Sequence, residues 1–167
     1  SPNADVRAEN IIVKNQKMSF DVTYKNKLNN KQYRIKNISF SMLGLHNIQN
    51  ALASISIALE LKIKPTIIKL ALEKFNGVQR RFQFINTYKN TQIIDDYGHH
   101  PEEIKAALSA TKLIGDKSKV LAVFQPHRYS RLKNHFNEFC SCFNDADEVV
   151  LLNVYAAGEK KIANCNN

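Results

Sequence analysis

The first forty residues alternate short apolar and polar runs. Apolar side chains cluster at residues 11–13, 18–22 and 33–38, with polar positions between them. A period of two is typical of β-strands that bury one face. This segment therefore predicts three short antiparallel strands, with residues 27–30 as a turn.

From residue 47 the spacing of apolar positions changes to three or four residues. This period predicts a helix with one buried stripe, formed by Ile48, Leu52, Ile55 and Leu59. A second helix is expected to begin at Pro65, because proline suits the first helical position. The Asn76-Gly77 pair should end that helix.

After Gly77 the pattern predicts alternating strands and helices. Strands are expected at residues 91–95, 119–124 and 148–154, and helices at 101–113 and 131–143. The runs V-L-A-V-F and V-V-L-L are typical of strands buried on both faces of a parallel sheet. The fold class is therefore α/β. We expect a doubly wound, Rossmann-like parallel sheet, preceded by the short antiparallel strands and two helices.

The loops that follow the three predicted parallel strands carry most of the reactive side chains. They cover residues 96–100, 125–130 and 155–159. Ligands of open parallel sheets bind at the carboxyl ends of the strands. Carboxylate, imidazole, guanidinium and phenol groups should therefore meet at one edge of the sheet and form a site.

Composition narrows the choice of partner. The formal charge of +9 would suit nucleic acid, but the lysines are spread along the chain and no basic stretch alternates with aromatic residues. We therefore expect no nucleic-acid partner, and the charge suits a substrate with several phosphates equally well. No apolar run is long enough for a membrane span, which favours a cytoplasmic protein without a membrane partner.

The cysteines favour neither a disulfide framework nor a metal site. Three are present, and Cys140 and Cys142 should point to different sides of a predicted helix. We expect reduced thiols. No metal ligands are assigned in this chain, because neighbouring histidines such as His99 and His100 rarely face one ion.

Each candidate motif also has a purely structural interpretation. Side chains of residues 95–100 could cap the helix that begins at Pro101, and residues 44–50 could cap the first helix. Residues 77–82 could be a basic hinge. Arg128 and Arg131 could be solvated, yet arginines at the amino end of a helix are unfavourable unless an anion lies beside them.

Five ordered segments together resemble the Mur ligase family. Residues 44–53, G-L-H-N-I-Q-N-A-L-A, resemble its helix entry, and residues 75–82, F-N-G-V-Q-R-R-F, resemble its junction between central and C-terminal domains. Three more resemble the member that adds L-alanine: D-D-Y-G-H-H-P at 95–101, F-Q-P-H-R-Y-S-R at 124–131 and V-Y-A-A-G-E at 154–159. The tripeptide-recycling ligase resembles the first of these three but not the second.

The resemblance implies a domain organisation and an activity. Residues 1–77 would be the last part of a central ATP-binding domain, and residues 78–167 a C-terminal amino-acid-binding domain, incomplete here. The implied enzyme is an ADP-forming ligase that joins L-alanine to the lactyl carboxylate of UDP-N-acetylmuramate through an acyl phosphate, in peptidoglycan synthesis. It would use ATP and Mg²⁺, and its N-terminal domains would be the partners of this chain.

The resemblance also implies roles for individual residues. The residues that would lie by the adenine are His46, Asn47 and Asn50. Arg81 and Asp96 would contact the nucleotide from the terminal domain. The residues that would hold L-alanine and the reacting end of the muramate are Tyr97, His99, Arg128 and Arg131. The implied catalytic set is Asp96, His99, Arg128 and Arg131.

One family motif does not occur in the sequence. The phosphate loop G-x-x-G-K-[ST] is not found in the 167 residues. Mg²⁺ and the phosphates would then be held mainly by an upstream part of the enzyme. We expect no ligase activity from the isolated chain, and a noncatalytic nucleotide-binding or interaction module remains an alternative.

Overall fold

The structure, a computed structural model, describes residues 4–14, 17–26, 29–114 and 118–162. The chain divides into two compact units, Ser1–Ile94 and Asp95–Asn167. No helix in the described ranges is both long and apolar enough to cross a membrane.

Three strands form the sheet of the first unit. They are β1 (Val6–Lys14), β2 (Lys17–Lys25) and β3 (Gln32–Phe40), and they are antiparallel in the order β1-β2-β3. The predicted strands are confirmed. Of the predicted turn, residues 27 and 28 lie outside the described residues.

A buried carboxylate fixes the middle of this sheet. Asp21 accepts hydrogen bonds from the backbone N–H of Asn37 at 2.7 Å, from Asn10 Nδ2 at 2.9 Å and from Arg34 Nη2 at 2.8 Å. These bonds, led by the one from Asn37, hold the pKa of Asp21 below its usual value. Because three groups from two neighbouring strands converge on one carboxylate, Asp21 stabilises the register of all three strands.

Two helices follow the sheet as the periodicity predicts. Helix α1 (Leu45–Glu60) buries Ile48, Ala51 and Ile55, and α2 (Pro65–Lys74) begins at the expected proline. The chain leaves α2 through Gly77, whose φ of 94° lies in the left-handed region that favours glycine. Both predicted helices are therefore confirmed.

The next two strands differ from the prediction. Strand β4 (Gln83–Tyr88), which was not predicted, pairs with β5 (Thr91–Asp95) in a separate two-stranded sheet. Their connection, Lys89-Asn90, has positive φ at both residues, as a tight hairpin turn requires. The expectation that residues 91–95 join the parallel sheet is wrong for the described residues, where β5 pairs with β4 and not with β6 or β7.

The second unit contains a parallel pair of strands against three helices. Its elements are α3 (Pro101–Lys112), β6 (Leu121–Phe124), α4 (Tyr129–Asn134), α5 (Phe136–Ser141) and β7 (Glu148–Leu151). Strands β6 and β7 are parallel, with Ala122 opposite Val149. One face of β6 packs on a core formed by Ile104, Leu108, Leu132, Phe139 and Cys142. The α/β class is confirmed.

Two details of this unit correct the prediction. The helix expected at 131–143 is divided at His135, whose φ of −122° and ψ of 28° are not helical and whose ring packs 4.6 Å from that of His100. The β6–β7 sheet is not buried on both faces within the described residues. Leu121 and Val123 are 57% and 62% exposed, because the described helices cover only the opposite face.

The two described cysteines are free thiols, as expected. Cys140 is exposed and Cys142 is buried, so they do point to different sides. Burial raises the pKa of Cys142 to about 11, which keeps this thiol protonated and inert near neutral pH. Cys165 lies outside the described residues.

Candidate functional site at the rim of the parallel sheet

Three loops of the second unit meet at the carboxyl end of the β6–β7 pair. We call them rim loop 1 (residues 96–100), rim loop 2 (125–130) and rim loop 3 (155–159). Four aromatic rings connect them in the order Tyr97, His99, His127, Tyr155. The successive centroid distances are 5.1, 6.0 and 5.4 Å. The predicted convergence of the three loops is therefore observed.

Rim loops 2 and 3 are joined through the backbone. The backbone N–H of Arg128 donates to the carbonyl of Tyr155 at 2.8 Å, and the N–H of Tyr155 donates to the carbonyl of Pro126 at 2.8 Å. These bonds continue the parallel pairing beyond the strands. They also hold Arg128 at a φ of 75°, which is rare for a residue with a side chain. Strain of this kind is concentrated at functional sites in proteins.

A carboxylate of rim loop 3 lies at the start of α4. Glu159 accepts hydrogen bonds from Ser130 N–H at 3.0 Å and Ser130 Oγ at 2.6 Å, and lies 3.9 Å from Arg128 Nη1. The bonds from Ser130 lower the pKa of Glu159. The sequence left open whether Arg128 and Arg131 are solvated or lie beside an anion, and Glu159 of the same chain lies beside Arg128.

Arg131 lies one turn into α4 and is oriented by rim loop 2. Its Nη1 donates to the carbonyl of His127 at 2.9 Å and lies 3.2 Å from His127 Nδ1. Among the described residues its Nε and Nη2 groups make no hydrogen bond. Arg131 can therefore bind a carboxylate or phosphate through that edge of the guanidinium.

Rim loop 1 is shaped by two acids. The backbone N–H of Gly98 donates to Asp96 Oδ1 at 2.6 Å, which closes a tight turn. Glu103 in the first turn of α3 accepts the N–H groups of His99 and His100 at 3.0 and 3.1 Å. These bonds place Tyr97 and His99 toward rim loop 2, and Tyr97 is 43% exposed.

The residues predicted near the adenine lie in the first unit, at the beginning of α1. Asn47 is buried and its amide donates to the Leu43 carbonyl at 2.7 Å, which is a structural contact. His46 is half-buried and Asn50 is exposed. Arg81 is exposed in the turn before β4, and its N–H donates to the Val78 carbonyl at 3.2 Å. The nucleotide roles of these four residues remain predictions.

The structure adds four residues to the predicted set. They are His127, Ser130, Tyr155 and Glu159. His127 contacts His99 and Arg131, Tyr155 and Glu159 contact Arg128, and Ser130 donates to Glu159. All four belong to rim loops 2 and 3, so the same topological reasoning could have selected them. The described residues contain no group of three or more His, Cys, Asp or Glu side chains that could hold a metal ion.

Comparison with known proteins identifies relatives of this arrangement. The family described as "Mur ligase, glutamate ligase domain" matches residues 80–164. The UDP-N-acetylmuramate–L-alanine ligases of Gluconobacter oxydans and Bartonella tribocorum are 49% and 47% identical over 162 residues. These alignments cover 97% of this chain and 34% of each relative. The chain thus spans about a third of the length of the curated relatives that it matches.

Solved structures agree with these relatives. The UDP-N-acetylmuramate–alanine ligase of Thermotoga maritima superposes with a TM-score of 0.76 at 30% identity, over 93% of this chain and 33% of that one. A murein peptide ligase from Psychrobacter arcticus has a TM-score of 0.56 at 23% identity, over 90% of this chain and 30% of that one. The second likeness concerns the fold alone.

Proposed function

Because the chain belongs to the Mur ligase family, we propose that it is part of an ATP-dependent ligase that joins L-alanine to UDP-N-acetylmuramate. The observation that carries the proposal is the meeting of three rim loops that bring Arg131, His99 and Arg128 to one edge. The identity of 49% to a UDP-N-acetylmuramate–L-alanine ligase supports the choice of amino acid. The enzyme would work in the cytoplasm in peptidoglycan synthesis.

The reaction places two demands on this part of the enzyme. In the proposed chemistry, ATP phosphorylates the lactyl carboxylate, and the amine of L-alanine then attacks the acyl phosphate and releases phosphate. Such chemistry depends on positioning and charge neutralisation rather than on a protein nucleophile. The rim must therefore bind carboxylates, and it must leave a proton acceptor beside the amine.

The side chains at the rim fit these demands. Arg131 would bind a carboxylate through its Nε and Nη2 edge. Arg128 would bind the substrate beside Arg131, because Glu159 already accepts a hydrogen bond from Ser130 and lies 3.9 Å from the guanidinium of Arg128. His99 Nδ1 lies 2.9 Å from the carbonyl of Tyr97, so a neutral His99 leaves Nε2 as an acceptor for the ammonium group. Tyr97 would cover the amino acid, and Asp96 would contact the nucleotide.

We assign the ATP phosphates and Mg²⁺ to the part of the ligase outside this chain. ATP supplies the phosphoryl group that activates the carboxylate. His46, Asn50 and Arg81 are the groups in this chain proposed for the nucleotide, while the buried bond of Asn47 to Leu43 gives that side chain a supporting role.

The experiment is a coupled assay of ADP release. The longer ligase that contains this chain should release ADP only when both UDP-N-acetylmuramate and L-alanine are present. Replacing L-alanine with the tripeptide tests the alternative, a tripeptide-recycling ligase, and faster turnover of the tripeptide would contradict the proposal. The isolated chain should release no ADP, and alanine-dependent release from it would contradict our assignment of the phosphates.

A further inference from the structure

The contact between Arg131 and His127 determines which nitrogen of the imidazole carries hydrogen. Arg131 Nη1 lies 3.2 Å from His127 Nδ1, and a guanidinium can only donate hydrogen bonds. Nδ1 of His127 must therefore accept. The ring is then neutral, with its hydrogen on Nε2.

His99 has the opposite arrangement. Its Nδ1 lies 2.9 Å from the Tyr97 carbonyl and 3.6 Å from Glu103 Oε2. A carbonyl oxygen and an ionised carboxylate can only accept hydrogen bonds. The hydrogen of a neutral His99 therefore lies on Nδ1. Two rings 6.0 Å apart thus adopt opposite tautomers, each fixed by a different neighbour.

The surroundings of His127 favour its neutral form. Burial lowers the pKa of His127 most, and the charges of Arg131, His99 and Arg128 lower it further, while Glu159 opposes them. The ring of Tyr155 packs against that of His127, with 5.4 Å between the two centroids. A protonated ring could not accept from Arg131 and would repel its guanidinium.

We propose that His127 is a positioning residue, whose neutral imidazole holds Arg131 so that the Nε and Nη2 edge stays available for the substrate carboxylate. The inference rests on the proposed function for the identity of that carboxylate. The backbone carbonyl of His127 accepts from the same Nη1 at 2.9 Å, so both acceptors of that nitrogen belong to one residue. The remaining N–H groups point to a bidentate interaction with a carboxylate.

Nitrogen-15 NMR of the 167-residue chain tests the tautomers without any activity. We expect His127 to show a bare Nδ1 and a protonated Nε2, and His99 the reverse. His127 should keep this form to a lower pH than an ordinary histidine. A protonated Nδ1, or two tautomers in equal exchange at His127, would overturn the proposal.

Kinetics of the longer ligase test the consequence for Arg131. His127→Phe keeps a ring against Tyr155 but removes the acceptor, so the KM for L-alanine or UDP-N-acetylmuramate should rise roughly tenfold, with kcat less affected. His127→Asn restores an acceptor near the position of Nδ1 and should recover most of the loss. His127→Asn should also remove the contribution of the imidazole to the fall of kcat/KM at low pH, which is the acid limb of the pH profile.

The control is His135→Asn, another histidine of this unit. Among the described residues its ring contacts that of His100, the last residue of rim loop 1, and not that of His127. It should leave KM and the acid limb unchanged. Equal KM values for His127→Phe and His127→Asn, or an acid limb unchanged in His127→Asn, would contradict the positioning role. If the wild-type ligase shows no alanine-dependent ADP release, the proposed function fails, and the NMR result still decides the tautomer of His127.

Discussion

Gly98 has no room for a side chain, and this makes Gly98→Ala a test of rim loop 1. A Cβ on Gly98 would lie 2.8 Å from Asp96 Oδ1 and 3.4 Å from Glu103 Cβ. The same Oδ1 accepts the Gly98 N–H at 2.6 Å, so the carboxylate must move and the bond is weakened. Losing a hydrogen bond to a charged group costs about 1.5 kcal/mol.

An opposing effect reduces the net loss of stability. Alanine restricts the unfolded chain and contributes about 0.5 kcal/mol in favour of folding. The free energy of unfolding should therefore fall by about 1 kcal/mol, which lowers Tm by about 3 °C. The larger consequence concerns function, because Asp96 is proposed to contact the nucleotide. The KM for ATP of the longer ligase should rise about tenfold, as expected when a charge-assisted bond is lost.

Gly158→Ala is the matched control for this measurement. Its Cβ would meet nothing within 4 Å, but its φ of 85° makes alanine unfavourable by about 1 kcal/mol. Both variants should therefore lose similar stability in thermal unfolding, while Gly158→Ala should keep its KM for ATP within about threefold. Equal KM values for ATP in the two variants would refute the role assigned to Asp96.

Three further predictions concern the framework of the two units. Leu108→Ala in the core of the second unit should lower the free energy of unfolding by about 2–5 kcal/mol in chemical denaturation, and a loss below about 1 kcal/mol would contradict its burial. Glu159→Gln removes the charge that accepts from Ser130, so rim loop 3 should exchange its amide hydrogens faster, and unchanged exchange would count against this contact. Because the pKa of Asp21 is lowered, its stabilisation is complete above the unfolded value near 3.8 and is lost as pH falls through the folded value. Asp21→Asn should flatten this acid dependence of unfolding, and an unchanged dependence would refute it.

The sequence was sufficient to predict a structural feature where one physical signal dominates. Alternation in β2 and the stripe through Ile48 and Ile55 each predicted an element that the structure confirms. The convergence of rim loops 2 and 3 could also be predicted, because the carboxyl ends of parallel strands share one edge. The same reasoning places His127 beside Tyr155. Rim loop 1 follows β5 of a separate sheet, and its contact with rim loop 2 through His99 and His127 required the structure.

The features that the sequence did not predict depend on contacts that the periodicity of apolar residues does not encode. Strand β4 was missed although Phe82 and Phe84 alternate with polar residues, because its hairpin turn is Lys89-Asn90 rather than a glycine turn. The break between α4 and α5 lies at His135, whose ring contacts that of His100 directly before α3. The local sequence does not indicate this contact. The exposed face of β6 shows that an apolar run predicts a strand but not what covers it.

The role of the Glu159 carboxylate required the structure for a similar reason. The sequence indicated that arginines at the start of α4 are unfavourable unless an anion lies beside them, and Glu159 lies almost thirty residues after Ser130. Only the fold of rim loop 3 reveals that the chain supplies this anion itself. A site residue of this kind is found from topology rather than from a motif.

The central claim is that the rim of the β6–β7 pair binds the carboxylate of a substrate through Arg131. The most direct test compares Arg131→Ala with Lys133→Ala, an exposed residue of the same helix, in the longer ligase. ADP release is measured while L-alanine and UDP-N-acetylmuramate are each titrated. We expect Arg131→Ala to raise one of the two KM values at least tenfold, as loss of a charged pair requires, and Lys133→Ala to change neither. KM values for Arg131→Ala that match those of Lys133→Ala would contradict the account.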